Sequence, residues 1–473
     1  MKHPVLPDLL ALLDGSVSLQ GEAVEVKDAA RLRATIHRLA EVSALESGVR
    51  QGLARYLVRQ VAQALGIYSA SINELYLARG RGELPNDFTV PAMNLRALAF
   101  DSARAVFRAA LKIDAAAIIF EIARSEMGYT DQRPAEYVTS VLAAAIAEGY
   151  TGPVFIQGDH FQVSAKRYAA DPDAEVQAIK DLIDEALAAG FFNIDIDTST
   201  LVDLDKPTVP EQQELNTSLS AMFAAYIRSR EPQGVTVSIG GEIGEVGGQN
   251  STPEELRGYM DGFNARLAVA APGAVGISKI SIQTGTSHGG VVLPDGSIAQ
   301  VSVDFGTLRQ LSEIARLEYG LGGAVQHGAS TLPEAAFSKF AENEAVEVHL
   351  ATNFQTMLFD RLPDDLRQEM YAFLDEKHAA ERKPGVTAEQ FYYKTRKYAV
   401  GPFKKQTWNM PAANKEAINQ AWEAQFDRLF RLLGLAGTRK IVDQTVRKAA
   451  VKPDPKFYLG EAVEAGDVSD LAD

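Results

Sequence analysis

From residue 88 onward the chain repeats one pattern, a short apolar run followed by an amphipathic stretch at helical spacing, and this alternation narrows the possible folds more than any other feature. Eight such runs are present: FTVPAMN, AAAIIFEIA, GPVFIQGDH, FFNIDIDT, GVTVSIGGEIG, ISKISIQTGTSHG, GGAVQHGAS and AVEVHLATN. Strands that alternate with helices lie parallel, because each helical crossover brings the next strand back in the same direction. Eight of them suggest closure, so the pattern predicts an α/β fold, a (β/α)8 TIM barrel. Helix starts agree with the count. Ser251-Thr252-Pro253-Glu254-Glu255 offers a hydroxyl cap, a proline in the first turn and early acids, and Ser330-Thr331-Leu332-Pro333-Glu334 repeats the device.

The barrel does not use the whole chain. Residues 1–87 mix charged and apolar residues at helical spacing and predict an N-terminal helical extension. Residues 88–375 are expected to form the barrel domain, and 376–473 a C-terminal helical extension whose polar tail, from about 450, is expected to be poorly ordered. The extensions are expected to pack against a neighbouring copy, giving a homo-oligomer, a dimer or a tetramer.

Composition removes several classes of function. No apolar run nears the roughly 20 residues of a membrane helix. The opening MKHPVLPDLLALLDG meets prolines and acids too early for a signal peptide, so a cytoplasmic protein with no membrane partner is expected. A formal charge of −15 opposes nucleic-acid binding, which needs clustered Lys and Arg. The chain has no cysteine, so any metal must be held by histidine, carboxylate and water.

Of the seven histidines, three end strand-like runs in glycine-flanked segments: His160 in GDHF, His288 in QTGTSHGG and His327 in AVQHGAS. Each alone reads as a satisfied polar residue. Together they read as a metal site, because a parallel barrel points every strand end at one face. Three imidazoles with an open position suit a catalytic ion. Asp159 precedes His160 at a strand end, where neighbours point to different sides, so one side chain can bind metal while the other meets substrate as an acid or base. A cap or a partner to a ligand is the other reading of Asp159. In SIGGEIGEVGGQN, Glu242 stands nearest the strand end and suits a place by the metal, while Glu245 lies on the glycine loop. Glycines beside two of the histidines (Gly289, Gly290, Gly328), followed by Ser330, offer backbone N–H groups and a hydroxyl to a phosphate.

In this order the segments resemble the class II, metal-dependent fructose-bisphosphate aldolase family. VPAMN at 90–94 looks like the family's first strand, and GDH like its Asp-His pair. GEIGEVGG looks like its Glu-Leu-Gly…Gly-Gly loop, GTSHGG like its second histidine and QHGAS like its His-Gly-Gly-Ser. AVEVHLATNFQ takes the place of the family's Lys-Ile-Asn-Ile-Asp-Thr-Asp, and the resemblance runs from about 88 to 360. It implies that His160, His288 and His327 bind zinc with Glu242 close by, cobalt, iron or manganese being acceptable alternatives, and that a monovalent cation can accompany the divalent one. It further implies that Asp159 exchanges the proton of the aldehyde-derived oxygen, and that Asn94, Gly289, Gly328, Ser330, Thr352 and Asn353 contact a phosphorylated sugar. Lys405, beside Lys404 in RKYAVGPFKKQ, matches a late basic phosphate contact. The implied reaction is reversible cleavage of fructose 1,6-bisphosphate to dihydroxyacetone phosphate and glyceraldehyde 3-phosphate, with zinc stabilising the enediolate.

Two departures stand out. Where the family follows its Gly-Gly with acids that move the carbon-bound proton, this chain has Gln249 and Asn250, leaving Glu245 as the nearest replacement. In the Asn-Ile-Asp-Thr-Asp segment, His349 replaces asparagine, and Ala351 and Asn353 replace the aspartates. His349 then reads as a further ligand, an acid/base group or a spacer. FEIARSEMGYTDQRPAEY also resembles the non-catalytic subunits of tagatose-bisphosphate aldolase, so tagatose-bisphosphate cleavage or an accessory role is one alternative. A metal-dependent sugar epimerase on the same barrel is another.

Overall fold

The structure is a computed structural model and describes residues 3–20, 23–244, 249–285, 293, 302–449, 451–460 and 471. The segment before the barrel is only partly helical. β1 (Val17–Gln20) and β2 (Ala23–Val26) pair as an antiparallel hairpin. A short strand, β3 (Ile67–Ala70), follows the helix Gly48–Ala64. The helical periodicity of this region hides β3, because four residues are too few to establish a period of two.

The eight predicted strands all form: β4 (Val90–Asn94), β5 (Ile119–Ala123), β6 (Gly152–Gln162), β7 (Asn193–Asp197), β8 (Ser238–Glu242), β9 (Lys279–Ile282), β10 (Ala324–Gln326) and β11 (Glu347–Leu350). They run parallel in the order β6-β5-β4-β11-β10-β9-β8-β7, and pairing of β6 with β7 closes the barrel. β6 is long enough to take two partners on one edge, β3 along residues 152–155 and β7 from Gln157 onward. Asn193 stitches this junction. Its Nδ2 donates to the carbonyls of Ala70 and Ile156 at 3.1 and 3.0 Å, and its Oδ1 accepts from the Ile72 N–H at 2.9 Å.

Helices cover the outside. Thr252 and Glu255 form the expected capping box on the helix Pro253–Ala270. The similar Ser330-to-Glu334 segment instead makes two 3-10 turns before the short helix Ser338–Glu342. None of these three pieces carries a side-chain cap hydrogen bond, and the Ser330 hydroxyl instead accepts from the Ala351 N–H after β11.

Both extensions pack on the barrel itself. The helix Gly48–Ala64 lies against the barrel helix Pro134–Glu148 and buries Leu53, Leu57, Val58 and Val61. The helix Ala412–Leu432 buries Trp422, Phe426 and Phe430, at roughly 1.5–3 kcal/mol for each large apolar side chain. Trp422 also donates its indole N–H to the Phe354 carbonyl at 3.0 Å, tying this helix to the one that follows β11. Within the tail, residues 455–459 form a short helix: Tyr458 is buried, accepts a 3.0 Å hydrogen bond from Arg59, and presses its backbone on Gly52. A Cβ at Gly52 would lie 1.7 Å from the Tyr458 carbonyl oxygen, so only glycine admits this contact.

Candidate active site

At the C-terminal strand ends, a cavity of about 90 Å³ is lined by Asn94, Asp159, His160, His327 and His349, and also by Arg96, Gly328, Ser330 and Thr352. A larger cavity of about 550 Å³, near Ser71, Thr236 and Thr445, lies at the opposite end and contains none of these groups.

A local irregularity brings Asp159 and His160 to the same cleft. In a regular strand they would point to opposite sides, as the sequence suggests. The register between β6 and β7 shifts between Gly158 and Phe161, and His160 takes φ +39°, a strained value for a residue with a side chain. The strand thus bends where two adjacent functional groups are needed side by side.

The two imidazoles are braced from behind. Nδ1 of His160 lies 3.0 Å from Asp197 and 3.2 Å from Glu242. Nε2 of His327 lies 3.0 Å from the Ser281 hydroxyl. Their remaining nitrogens, Nε2 of His160 and Nδ1 of His327, are 3.1 Å apart. Ligands about 2.0–2.1 Å from a tetrahedral ion stand about 3.3 Å from one another, so this spacing suits two nitrogens on one cation. His160, Glu242 and His327 each offer a ligand atom within 4.8 Å of the others, and so do Asp159, His327 and His349. Asp159 Oδ1 is buried and faces imidazole nitrogens, His349 Nδ1 at 3.2 Å and His160 Nε2 at 3.7 Å. These residues fit a divalent ion, with Asp197 and Ser281 holding ligand rings in orientation.

Charge in the site is strongly shaped by its surroundings. Burial opposes ionisation of Asp159, but His160, His349 and His327 outweigh it and hold the carboxyl well below its usual range. Burial likewise opposes charge on His160, and Asp159 and Glu242 overcome it, raising that imidazole well above its ordinary value. Glu242 is pushed up to about 7, chiefly by burial and then by Asp197. Asn94 donates to Asp159 at 3.1 Å and to Glu126 at 2.7 Å, fixing the Asp159 carboxylate.

Beneath the cleft the barrel interior is ionic. Lys279 Nζ bonds Gln157 at 2.8 Å, Asp195 at 2.9 Å and Glu347. A Cβ on Gly240 would stand 2.2 Å from Asp195, so the glycine in β8 makes room for this pair. His349 joins the network to the cleft, with Nε2 2.7 Å from Glu347 and Nδ1 3.2 Å from both Asp159 and Glu121. Burial disfavours its charged form, but Glu121 and Asp159 raise its pKa well above the ordinary value. Glu121, Asp195, Glu347 and His349 also form a ligand-like cluster, yet the Lys279 ammonium already contacts two of its acids.

Not every predicted residue reaches the cleft. Glu245, His288, Gly289 and Gly290 lie outside the described residues. Asn250 is drawn to the rim, where it donates to Asp304 at 2.9 Å. Asn353 lines a neighbouring cavity with Phe337 and Arg428. Lys405 is exposed on the short helix Lys404–Trp408, and Lys404 pairs with Glu136 at 2.9 Å, so neither lines the cleft. The cation that does is Arg96, which sequence reasoning missed although it stands two residues beyond Asn94.

With this geometry in hand, comparison with known proteins decides the family. The model of the family "Fructose-bisphosphate aldolase class-II" matches residues 84–425, well over half of the chain. The chain belongs to the class II fructose-bisphosphate aldolase family. The match runs past residue 360 into the C-terminal extension. None of the curated proteins matches. Among solved structures, the fructuronate-tagaturonate epimerase UxaE from Cohnella laeviribosi is similar at TM-score 0.53 and 12% identity, with 90% of each chain covered. A probable tagatose 6 phosphate kinase from Sinorhizobium meliloti 1021 is similar at TM-score 0.51 and 18% identity, covering 78% of this chain and 96% of the other. A fructose-bisphosphate aldolase from Campylobacter jejuni has TM-score 0.45 and 17% identity, covering 79% and 96%. The first two agree with this chain on the barrel.

Proposed function

We propose that the protein is a divalent-metal-dependent aldolase that reversibly cleaves fructose 1,6-bisphosphate to dihydroxyacetone phosphate and glyceraldehyde 3-phosphate. The observation that carries this reading is the braced pair His160 and His327, 3.1 Å apart beside an ionised Asp159. His288 would complete the ligand set with Glu242 close by, and zinc is the expected ion. A divalent ion there supplies Lewis-acid stabilisation of negative charge on the ketose oxygens. Asp159 accepts the proton of the hydroxyl on the carbon that becomes the aldehyde. As that proton leaves, the electron pair of the breaking carbon–carbon bond moves toward the ketone. In the synthetic direction Asp159 returns the proton. Asn94 and His349 hold its two oxygens, at 3.1 and 3.2 Å, so that the carboxylate faces the substrate while staying charged. Glu245 is the assigned carrier of the carbon-bound proton, since Gln249 and Asn250 cannot serve.

A lysine Schiff base is not a competing route through Lys279, the one fully buried lysine among the described residues. Burial lowers its pKa, but Asp195 and Glu347 outweigh burial and raise it above the ordinary value, so the ammonium is no nucleophile.

A second reading, epimerisation of a sugar acid, is favoured by the 90% mutual coverage with the UxaE epimerase, which includes much of the extensions. NMR of the zinc-loaded protein with fructose 1,6-bisphosphate and, separately, with fructuronate separates the two. Triose phosphates from the bisphosphate support the aldolase. An epimeric product without trioses supports the epimerase, and no conversion of either sugar refutes both.

A further inference from the structure

The short helix Arg124–Tyr129 follows β5 and carries Glu126 in its first turn. Glu126 is wholly buried, and both of its carboxylate oxygens are used. Oε1 accepts from Arg96 Nε at 2.6 Å. Oε2 accepts from the Ala123 N–H at 2.8 Å and from Asn94 Nδ2 at 2.7 Å. A partner for Arg96 and a cap for the helix start account for the first two contacts. Neither accounts for the third, which lands on the side chain that also touches Asp159.

That third contact settles which way the Asn94 amide lies. A carboxamide has a donor end and an acceptor end of nearly the same shape, so sterics alone do not choose between them. Asn94 stands between two carboxylates and gives Nδ2 to both, to Glu126 at 2.7 Å and to Asp159 at 3.1 Å. Turned over, its oxygen would face an acceptor on each side. As it lies, Oδ1 has no partner among the described residues and is the acceptor that Asn94 offers to the cleft it lines. Asp159 also lines the cleft, where metal and substrate compete for its oxygens, whereas Glu126 does not. The hold of Glu126 on the amide therefore persists while Asp159 is engaged with other groups.

We propose that Glu126 is a positioning residue for the reaction, acting through Asn94: it keeps the donor end of that amide on Asp159 and the acceptor end toward the substrate. This rests on the reading of Asp159 as the group that exchanges the substrate proton. The orientation of Asn94 does not depend on which sugar is converted.

Two measurements test it. The side-chain N–H resonances of Asn94, assigned by their loss in Asn94→Ala, are followed by NMR on chelator-treated protein without substrate. Both protons should exchange with solvent at least about tenfold more slowly than those of exposed Asn and Gln side chains, because each must first leave a carboxylate. Kinetics supply the second measurement, with whichever of fructose 1,6-bisphosphate and fructuronate the zinc-loaded protein converts. In Glu126→Gln the charged Arg96 claims the remaining oxygen, so the new amino group is turned on Asn94. This variant should keep its metal and lose about tenfold or more in kcat/KM, and the same change should cost less than about threefold once Asn94 is alanine. A role confined to capping the helix or pairing Arg96 predicts the same cost in both backgrounds, and equal costs overturn the proposal. So does fast exchange of either Asn94 proton in the wild type, which needs neither activity nor a folded variant at 126. Failure of the aldolase reading leaves the exchange result standing, because that measurement is made without metal or substrate.

Discussion

Replacing Lys279 with methionine removes the one buried ammonium among the described residues and leaves Asp195 and Glu347 facing each other without it. At about 3 Å and an effective dielectric of about 20, each contact is worth on the order of 5 kcal/mol before the cost of burying the ammonium is subtracted. Glu347 reports the net effect. Burial pushes its carboxyl up, yet Lys279 and His349 hold it at about 2 against an ordinary 4.5, a preference for the charged form of about 3 kcal/mol. The expected loss for Lys279→Met is about 3–5 kcal/mol near neutral pH, the range for removing one partner of a buried pair. The sign with pH follows from a depressed carboxyl. This contribution is complete above about 4.5 and disappears as pH falls toward about 2, so the deficit of the variant should shrink over that interval. Urea unfolding followed by circular dichroism at several pH values measures it. Lys279→Met/Glu347→Gln, which removes one of the stranded charges, should recover a substantial part of the loss. A deficit under about 1 kcal/mol at pH 7, or a double variant no better than the single one, would refute the reasoning.

Other outcomes follow from the same geometry. Asp159→Asn should keep its metal and lose carbon–carbon cleavage by about two orders of magnitude or more, read by metal analysis alongside a coupled triose assay. Asp197→Ala frees the back of His160 and should weaken metal affinity by about 10–100-fold in a competition titration, with the fold preserved. Gly52→Ala places a Cβ against the Tyr458 carbonyl. It should lower thermal stability and open residues 451–460 to limited proteolysis, whereas an unchanged digestion pattern would mean that the tail contact contributes little.

The barrel was legible because parallel strands buried on both faces read as apolar runs whatever their inward residues are. All eight runs became strands, and the Asp159-His160 and His327 segments met in one cleft. The ionic interior was harder to see. NIDID, SKIS and EVH carry charged or polar groups at alternate positions, which is the signature of an inward face, but the pairing of Lys279 with Glu347 joins strands far apart in sequence. Counting back from His349 in the family segment places Glu347 where lysine is usual, and Lys279 supplies the cation from β9. Nothing local links those two changes. The choice of Lys405 followed the position of a late basic residue, while Arg96 lay in the first strand's own continuation, on the face already marked by Asn94. The side-by-side placement of Asp159 and His160 depends on a bend at a non-glycine residue with positive φ, for which the sequence carries no signal.

The central claim is that imidazoles on β6 and after β10 hold a divalent ion on which cleavage depends. Triose release from fructose 1,6-bisphosphate should be measured on the zinc-loaded protein, after chelation and after zinc is restored, with His327→Ala beside it. The account predicts release that chelation abolishes and zinc restores, and a folded His327→Ala that binds no zinc and releases nothing. Full release by the chelated protein, or by His327→Ala, would contradict it.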